Sequence, residues 1–251
     1  MTTNSDSSYL DDQLRAFTRQ VGKGTYSAAR PCEGASRDFF LEVLATAVGQ
    51  RWNAAVELRM LECGVGDGVW LDAIREQRKQ SFTWASGFDV TPEMVLAARQ
   101  RFHSLTNSRF QIGFLRVGDI TKLDAFSPPK ETNGRGGRYD LVYCYDVVQQ
   151  LPETLRLSAI ENMLAVTRQD GIVVILDKHR FSAHGIRMAV RKWITANTRW
   201  KRVPDFYLLA RYPSMTRLAR QFRERWGCRT SLTADARREH FALVIHPGKK
   251  T

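Results

Sequence analysis

The residues of this sequence that are best suited to chemistry lie in the stretch LECGVGDGVW, residues 61–70. Gly64, Gly66 and Gly68 alternate with other residues, and Glu62 stands two places before the first of them. Glycine has no Cβ, so a chain of this kind can approach a ligand closely. The stretch follows an apolar run that predicts a strand, and open α/β sheets bind ligands at the carboxyl ends of their strands. The sequence therefore predicts a ligand-binding turn.

A second carboxylate, Asp89, ends the next predicted strand, 21 residues after Gly68. A carboxylate in that place can accept hydrogen bonds from both hydroxyls of a ribose, which indicates a ligand that contains a nucleoside. A dinucleotide fingerprint would require a small residue where Val69 stands, and Glu62 would repel a pyrophosphate. The residues favour a ligand with a cationic group and no phosphate. S-adenosylmethionine, which carries a ribose, an ammonium and a sulfonium, has these properties.

Predicted strands and helices alternate along the chain from residue 51 to residue 177. Such alternation indicates an α/β fold built on a doubly wound sheet. The last two predicted strands, 228–233 and 240–246, are joined by a turn that is too short for a parallel crossover. We therefore expect a mostly parallel seven-stranded sheet with an antiparallel last strand. An N-terminal helical lid and a helical insertion after strand five complete the predicted fold.

Several motifs occur in the order and spacing of a known family. Together they resemble the class I, Rossmann-like S-adenosylmethionine-dependent methyltransferases of the small-molecule type, over about residues 36–177 and again over 213–246. The motifs are Glu62-Cys63-Gly64-Val65-Gly66-Asp67-Gly68, the ribose-binding acid Asp89, Gly118-Asp119-Ile120, Tyr139-Asp140-Leu141-Val142 to Leu151-Pro152, and Gln169-Asp170-Gly171 in place of a Pro-Gly-Gly turn.

The resemblance implies that S-adenosylmethionine is the cofactor and S-adenosylhomocysteine the product. It also implies that Asp119 accepts from the adenine amino group and that Ile120 packs on the ring. Tyr26, in a loop after the first helix, is expected to belong to a lid that excludes water. No metal site is predicted. The predicted cofactor-binding residues are Glu62, Gly64, Gly66, Gly68, Asp89, Val90, Met94, Asp119, Ile120, Tyr145 and Tyr26.

The expected organisation has four segments. Residues 1–35 form the N-terminal helix and lid, and residues 36–177 form the cofactor-binding core. Residues 178–212 form a basic helical insertion over the acceptor pocket, and residues 213–251 add a helix and strands that complete the core.

The chain departs from the family at the position where a proton acceptor is expected. Many small-molecule relatives carry an acid-x-x-x-His pattern after strand four. In this chain Asp146 occupies the acid position, but Gln150 occupies the histidine position, and glutamine cannot act as a base. The predicted catalytic residues are instead His179 and His184, which follow strand five, with His179 preferred. His103, His240 and His246 receive no role.

Positive charge is concentrated at the C-terminal end. The chain carries a net charge of +12, and residues 178–251 hold 18 Lys and Arg against 4 Asp and Glu, a net charge of +14. This asymmetry indicates an acidic partner. Within this C-terminal part, residues 185–203 combine tryptophans with arginines. Such a segment could bind a membrane interface or a glycolipid, or the phosphates of a nucleic acid. It could instead be a cap helix that packs its apolar face on the sheet. The predicted substrate-binding residues are Tyr207, Tyr212 and Arg187.

The favoured function is transfer of a methyl group, by in-line displacement, to an oxygen of a small or lipid-linked, anionic acceptor. Nitrogen is the second choice of acceptor atom. The alternative is an RNA methyltransferase that binds phosphates with the basic C-terminal part. A protein methyltransferase is the third hypothesis, and a binding module that senses the cofactor is the last. The four scattered cysteines and the polar N-terminus indicate a cytoplasmic setting, with peripheral membrane contact as an open alternative.

Overall fold

The computed structural model describes residues 4–22, 34–54, 56–104, 109–126, 138–197 and 210–248. Tyr26 and Tyr207, two of the predicted site residues, lie outside these ranges. The helices are α1 (Asn4–Gly22), α2 (Gly34–Val48), α3 (Val69–Gln77), α4 (Pro92–Phe102), α5 (Glu153–Val166), α6 (Ala183–Asn197) and α7 (Met215–Trp226). The strands are β1 (Leu58–Cys63), β2 (Thr83–Asp89), β3 (Phe110–Val117), β4 (Tyr139–Tyr145), β5 (Thr167–Lys178), β6 (Arg229–Ala234) and β7 (His240–His246).

All seven strands form one sheet in the order β3-β2-β1-β4-β5-β7-β6. The pairs from β3 to β5 are parallel, whereas β7 pairs antiparallel with both β5 and β6. The predicted fold class is therefore confirmed. The chain progresses from β1 to one edge and then returns to place β4 beside β1, so the topological switch point lies between these two strands. Ligands of open α/β sheets bind at such a point.

Helices cover both faces of the sheet, and the strand sequences reflect this. Every residue of β4 is buried, as expected of a central strand with two covered faces. On one face Phe40 and Leu44 of α2 pack with Ile74 of α3. On the other face Ile160 of α5 packs with Phe222 of α7. The switch point is thus held by two cores, one on each side.

Helix α6, in the predicted basic insertion, does not pack its apolar face on the sheet. Ile186, Val190 and Trp193 are 54%, 51% and 67% exposed. Met188 of the same helix is buried and contacts Ala210 and Tyr212 in a small separate cluster. Of the three interpretations of this segment, the cap helix that packs its apolar face on the sheet is wrong for its described part. The reason is that the spacing i, i+4, i+7 places these three side chains on the face that points to solvent.

Asp140 provides a first testable prediction, because it is a buried acid at the start of β4. Its side chain is 2% exposed, its Oδ1 accepts from Arg51 at 2.6 Å, and its Oδ2 accepts from the backbone N–H of Arg59 at 2.8 Å. We expect Asp140→Ala to lower the free energy of unfolding by about 2 kcal/mol, since both donors lose their partner. Urea unfolding measures this. Asp170→Ala, at a side chain that is 69% exposed and also near Arg51, should change it far less. Equal losses would contradict the assignment.

Candidate active site

The glycine turn after β1 has the backbone conformation that only glycine adopts easily. Gly64, Gly66 and Gly68 have φ values of 80°, 53° and 82°, all in the left-handed region. A Cβ at Gly64 would lie 2.3 Å from Val147 Cγ2, so the turn also fits closely against the segment that follows β4. Gly68 ends the turn as the N-cap of α3. The three glycines therefore serve both the turn and its packing.

Asp89 lies at the end of β2 and is tied to the turn. Its Oδ2 accepts from the N–H of Gly66 at 3.0 Å, and its Oδ1 accepts from the N–H of Thr91 at 2.8 Å. Burial raises the pKa of Asp89, although the backbone N–H groups of Gly66 and Thr91 and the side chain of Thr91 act to lower it. A carboxylate has about four acceptor sites, so these donors leave acceptor capacity for a ribose hydroxyl.

Glu62 lies inside the turn with no exposed surface. Its Oε2 accepts from the hydroxyl of Tyr143 at 3.2 Å, whereas its Oε1 has no hydrogen-bond partner among the described residues. Burial raises the pKa of Glu62 well above its ordinary value, and Asp67 and Asp89 raise it further. A buried acid with an unpaired oxygen is costly unless a donor from outside satisfies it. An ammonium group is such a donor, so the residues fit the cationic end of S-adenosylmethionine.

The residues predicted for the adenine lie at the carboxyl ends of β2 and β3. Met94 and Ile120 are buried, whereas Val90 is exposed. Asp119 uses its Oδ1 to accept from the N–H and the hydroxyl of Thr121, at 2.9 and 2.8 Å. These bonds fix the carboxylate and leave Oδ2 as the oxygen that could accept from a purine amino group. Glu62, Asp89 and Asp119 thus lie at or just beyond the carboxyl ends of three neighbouring strands, β1, β2 and β3.

A second polar group lies at the carboxyl ends of β4 and β5. Asp146, with an unusual φ of 56°, directly precedes the Val147 that packs at Gly64. Its Oδ2 lies 2.9 Å from Lys178 Nζ. Burial alone would raise the pKa of Asp146, but Lys178 and His240 hold it well below its usual range. Burial acts to lower the pKa of Lys178, but Asp146 raises it above its ordinary value. The two groups therefore form a charged pair.

The two histidines predicted as catalytic residues occupy different surroundings. His179 is buried, its Nδ1 accepts from the N–H of Phe181 at 2.9 Å, and its ring packs 4.6 Å from that of Phe241. Because side chains alternate along a strand, Phe241 and its neighbour His240 point to opposite faces of the sheet. His179 is thus placed on the face away from His240. Burial and the nearby Arg180 lower its pKa.

His184 lies near the start of α6 with its Nε2 3.1 Å from the hydroxyl of Tyr212. Burial lowers the pKa of His184, and Lys178 lowers it further while Asp146 acts in the opposite direction. The structure therefore brings His184 and Tyr212 close enough to Lys178 and Asp146 for their charges to interact. Arg187, one turn further along α6, is exposed.

His240 belongs to this polar group, although it received no role from the sequence. It begins β7 and pairs with Lys178 in the sheet. Its Nε2 lies 3.7 Å from Asp146 Oδ1, and its Nδ1 lies 3.5 Å from Asp235 Oδ2. The ring of Tyr145 lies 5.5 Å from its ring. One signal could have indicated this place, because an antiparallel last strand begins at the edge where the other strands end. We call Asp146, Lys178, His184, Tyr212 and His240 the acceptor cluster.

A sheet of this order, with a glycine turn and a row of acids at its switch point, defines the class I methyltransferase architecture. A family model described as "Methyltransferase domain" matches residues 61–173. A search of the curated proteins returned no match.

Solved structures of this architecture cover nearly the whole chain. The magnesium protoporphyrin IX methyltransferase ChlM from Synechocystis PCC 6803, with bound S-adenosylhomocysteine, is 16% identical with a TM-score of 0.58, covering 97% of this chain and 96% of its own. A DhpI–S-adenosylhomocysteine complex is 15% identical with a TM-score of 0.59, covering 99% and 100%. An O-methyltransferase family 2 protein from Planctomyces limnophilus DSM 3776, in complex with apigenin, is 15% identical with a TM-score of 0.61, covering 94% and 62%.

The predicted class is confirmed at the level of domain and fold: a methyltransferase domain matches residues 61–173, and the chain has the fold of the class I S-adenosylmethionine-dependent methyltransferases. Enzymes of this class take their methyl group from S-adenosylmethionine.

Gly64 provides a second prediction. Gly64→Ala is expected to weaken S-adenosylhomocysteine binding about tenfold and to lower the free energy of unfolding by about 2–4 kcal/mol, because a left-handed φ and an overlap with Val147 add. Gly49→Ala is the matched control, since Gly49 has a φ of 64° but nothing within 4 Å of the added Cβ. Calorimetric titration and urea unfolding measure both effects. Equal changes in affinity and in the free energy of unfolding for the two variants would show that the close contact between residue 64 and Val147 contributes nothing to either.

Proposed function

We propose that this protein transfers the methyl group of S-adenosylmethionine to an oxygen of a small or lipid-linked, anionic acceptor by in-line displacement, with nitrogen as the second choice. The observation that carries the proposal is the position of the acceptor cluster. It begins at Asp146, one residue from the Val147 that packs at the glycine turn. Polar groups that could hold an acceptor thus adjoin the residues that fit the cofactor.

In-line transfer mainly requires that the acceptor atom be held at about 3–3.5 Å from the methyl carbon and in line with it. Lys178 supplies a positive charge that could hold an acceptor anion. The hydroxyl of Tyr212 and the Nε2 of His184, 3.1 Å apart, could orient a polar acceptor. S-adenosylmethionine, when bound, would supply a methyl group already activated by the sulfonium.

A hydroxyl acceptor must also lose its proton, and a histidine is the usual group for this step. His179 and His184 remain the two candidates that the sequence proposes. Of these, only His184 has Lys178 and Asp146 among the charges that affect its pKa. Burial lowers that pKa, which favours the neutral form of His184, the form that can accept a proton. His184 is therefore the better placed of the two.

Charge and the structural relatives support an anionic small molecule. The net charge of +14 over residues 178–251 would attract it, and the exposed Arg187 would contact it. Among the structural relatives, one is described as a magnesium protoporphyrin IX methyltransferase and another was solved with apigenin. Both are small molecules. We extend this class of acceptor to the present chain as part of the proposal.

Helix α6 supports a lipid-linked acceptor and a cytoplasmic protein with peripheral membrane contact. Ile186, Val190 and Trp193 are exposed, and Arg187 and Arg191 are exposed beside them. A basic helix with exposed apolar residues suits an anionic lipid surface. Within the described residues, none of the helices has the length and hydropathy to cross a bilayer.

Helix α7 supports the alternative, an RNA methyltransferase. It exposes the side chains of Arg217, Arg220, Arg223 and Arg225. Arginines along one helix can contact successive phosphates. These arginines lie on α7 and are not part of the acceptor cluster, so the RNA methyltransferase is the second candidate.

The test uses S-adenosylmethionine with a labelled methyl group, incubated with the pure protein and a cell extract divided into nucleic acid, protein, lipid and small-molecule fractions. We expect label in the lipid or small-molecule fraction, and loss of label when an extract pretreated to remove anionic small molecules is used. Label in RNase-sensitive material would establish the alternative instead. A protein that binds S-adenosylhomocysteine but labels no fraction would contradict the proposed transfer.

A further inference from the structure

We propose that His240 is the catalytic residue that takes the proton from the acceptor, with Asp235 as the residue that positions it. This inference rests on the proposed methyl transfer to a hydroxyl. It goes beyond that proposal because His240 lies in the last strand, about 60 residues from the two histidines that the sequence suggests.

The fold places His240 at the edge of the sheet where the reaction would occur. Because β7 is antiparallel to β5, its first residue pairs with the last residue of β5, Lys178. The His240 side chain is 10% exposed, so it is shielded from bulk water. The ring lies beside that of Tyr145, which stacks on Trp70 at a ring distance of 4.1 Å. Trp70 belongs to α3, directly after the glycine turn. A continuous set of side chains thus connects His240 with the cofactor-binding turn.

Two buried polar atoms at this edge lack partners. In the part of the chain that the structure describes, neither His240 Nε2 nor Asp146 Oδ1 has a hydrogen-bond partner, and these two atoms are 3.7 Å apart. Leaving a buried polar atom unpaired is unfavourable, because the atom has lost its hydrogen bonds to water. Native proteins retain such atoms rarely, and often at sites of catalysis. The hydroxyl of an acceptor could donate to either atom.

Asp235 determines which nitrogen of His240 is available. Its Oδ1 accepts from the N–H of Glu239 at 2.8 Å, and its own N–H donates to the carbonyl of His240 at 3.0 Å. These bonds fix the turn between β6 and β7, with Oδ2 3.5 Å from His240 Nδ1. Asp146, on the Nε2 side, is already paired with Lys178, so we assign the proton to Nδ1, beside the carboxylate of Asp235. Nε2 then has a free electron pair that faces the acceptor cluster.

Carboxylates face both nitrogens of His240. Asp235 faces one nitrogen, and Asp146 faces the other. Lys178 is the opposing positive charge, and it is engaged with the other oxygen of Asp146 at 2.9 Å. Glu239 is the adjacent residue in the chain.

The acceptor O–H bond breaks and an Nε2–H bond forms, which leaves the electron pair on the oxygen for the new bond to carbon. S-adenosylmethionine, when bound, supplies that carbon, whose bond to sulfur breaks with its electron pair left on sulfur. His240 later returns its proton to water.

The other two histidines are less suitable. His179 points to the opposite face of the sheet, and its Nδ1 already accepts from the N–H of Phe181. His184 has its Nε2 engaged with the hydroxyl of Tyr212. His184 and Tyr212 would then bind the acceptor while His240 takes the proton.

The test compares His240→Gln with His103→Gln, the matched control at an exposed histidine directly after α4. Methyl transfer is measured to the extract fraction that the wild-type protein labels. We expect His240→Gln to reduce the rate about a hundredfold, the usual contribution of a general base, and His103→Gln to leave it within about threefold. S-adenosylhomocysteine affinity should be unchanged in both, which shows that the site is still folded.

A second readout does not depend on turnover. Nitrogen-15 NMR of histidine-labelled protein is expected to show His240 with its proton on Nδ1 in the wild type and a shift toward Nε2 in Asp235→Asn. A proton on Nε2 in the wild type, or a rate for His240→Gln within about threefold of wild type, would overturn the assignment of the base alone. A wild-type protein that labels no fraction would instead overturn the proposed methyl transfer, and the proton transfer with it.

Discussion

Glu62→Gln is expected to weaken S-adenosylhomocysteine binding by about 100- to 1,000-fold, which corresponds to about 3–4 kcal/mol. The carboxylate is fully buried, and its Oε1 has no partner among the described residues. An ammonium group would satisfy that oxygen and neutralise the charge. An amide cannot neutralise a cation, so the variant would bury the ammonium without its counter-ion.

The same substitution is expected to keep or increase the stability of the free protein, which separates it from a simple folding defect. Burial raises the pKa of Glu62 in the folded state, above its value of about 4.3 in the unfolded chain. Between these two pKa values the folded state binds more protons than the unfolded state, so this residue lowers stability as pH rises. Glu62→Gln removes that loss. Above the raised pKa, the variant should therefore unfold at the same or a higher urea concentration than the wild type.

Binding should depend on pH for the same reason. An ammonium ligand needs the ionised carboxylate, so affinity should fall as pH is lowered through the raised pKa, at a higher pH than for an ordinary carboxyl. Calorimetric titration with S-adenosylhomocysteine measures both effects. Glu93→Gln makes the same chemical change at an exposed residue in the first turn of α4 and should alter neither. Tight binding by Glu62→Gln would show that the ligand's cation lies elsewhere.

The sequence predicted the sheet and its cofactor-binding edge because both depend on local patterns. The alternation of apolar runs with amphipathic helices specifies a doubly wound sheet whatever the loops do. The turn needs a left-handed φ at Gly64. Because glycine adopts this φ more easily than other residues, the glycine in the sequence already indicates the turn. Asp89 and Asp119 stand at strand ends, where position along the chain already determines position in space.

The acceptor cluster was less accessible to prediction because long-range pairing assembles it. His240 is brought to Lys178 by antiparallel pairing of strands that lie far apart in sequence. A pattern of residues cannot show that His179 faces Phe241 while His240 faces Asp146, since one residue of register would exchange the faces. The exposure of Trp193 could not be predicted from the sequence either. A helical pattern shows which residues share a face but not what that face contacts.

Asp146→Asn is expected to lower the free energy of unfolding by about 3 kcal/mol at pH 7, because it leaves a buried ammonium without its partner. Lys178 has a side chain that is 17% exposed, and its Nζ lies 2.9 Å from Asp146 Oδ2. Lys178→Met is expected to be destabilising as well. The double variant should lose less than the sum of the two single losses, since neither charge is then left unpaired.

The dependence on pH distinguishes this pair from a mere loss of packing. The folded pKa of Asp146 is depressed, so its contribution is present above the unfolded value of about 3.9 and is lost as pH falls. The folded pKa of Lys178 is raised, so its contribution is present below about 10.4 and is lost as pH rises through the raised value. The stability difference between wild type and double variant should therefore be constant around neutral pH and decrease at both extremes.

Asp146→Asn alone should behave in the opposite way on the alkaline side. Without Asp146, burial is the main influence on Lys178 and lowers its folded pKa below the unfolded value, so the variant should gain stability as pH rises from 7 toward 10. Urea unfolding at several pH values measures this gain. Asp72→Asn, at a more exposed pair with Arg75, is the control and should show little pH-dependent change in this range. If Asp146→Asn lost stability in parallel with the wild type as pH rose, Lys178 would not be the buried charge that Asp146 neutralises.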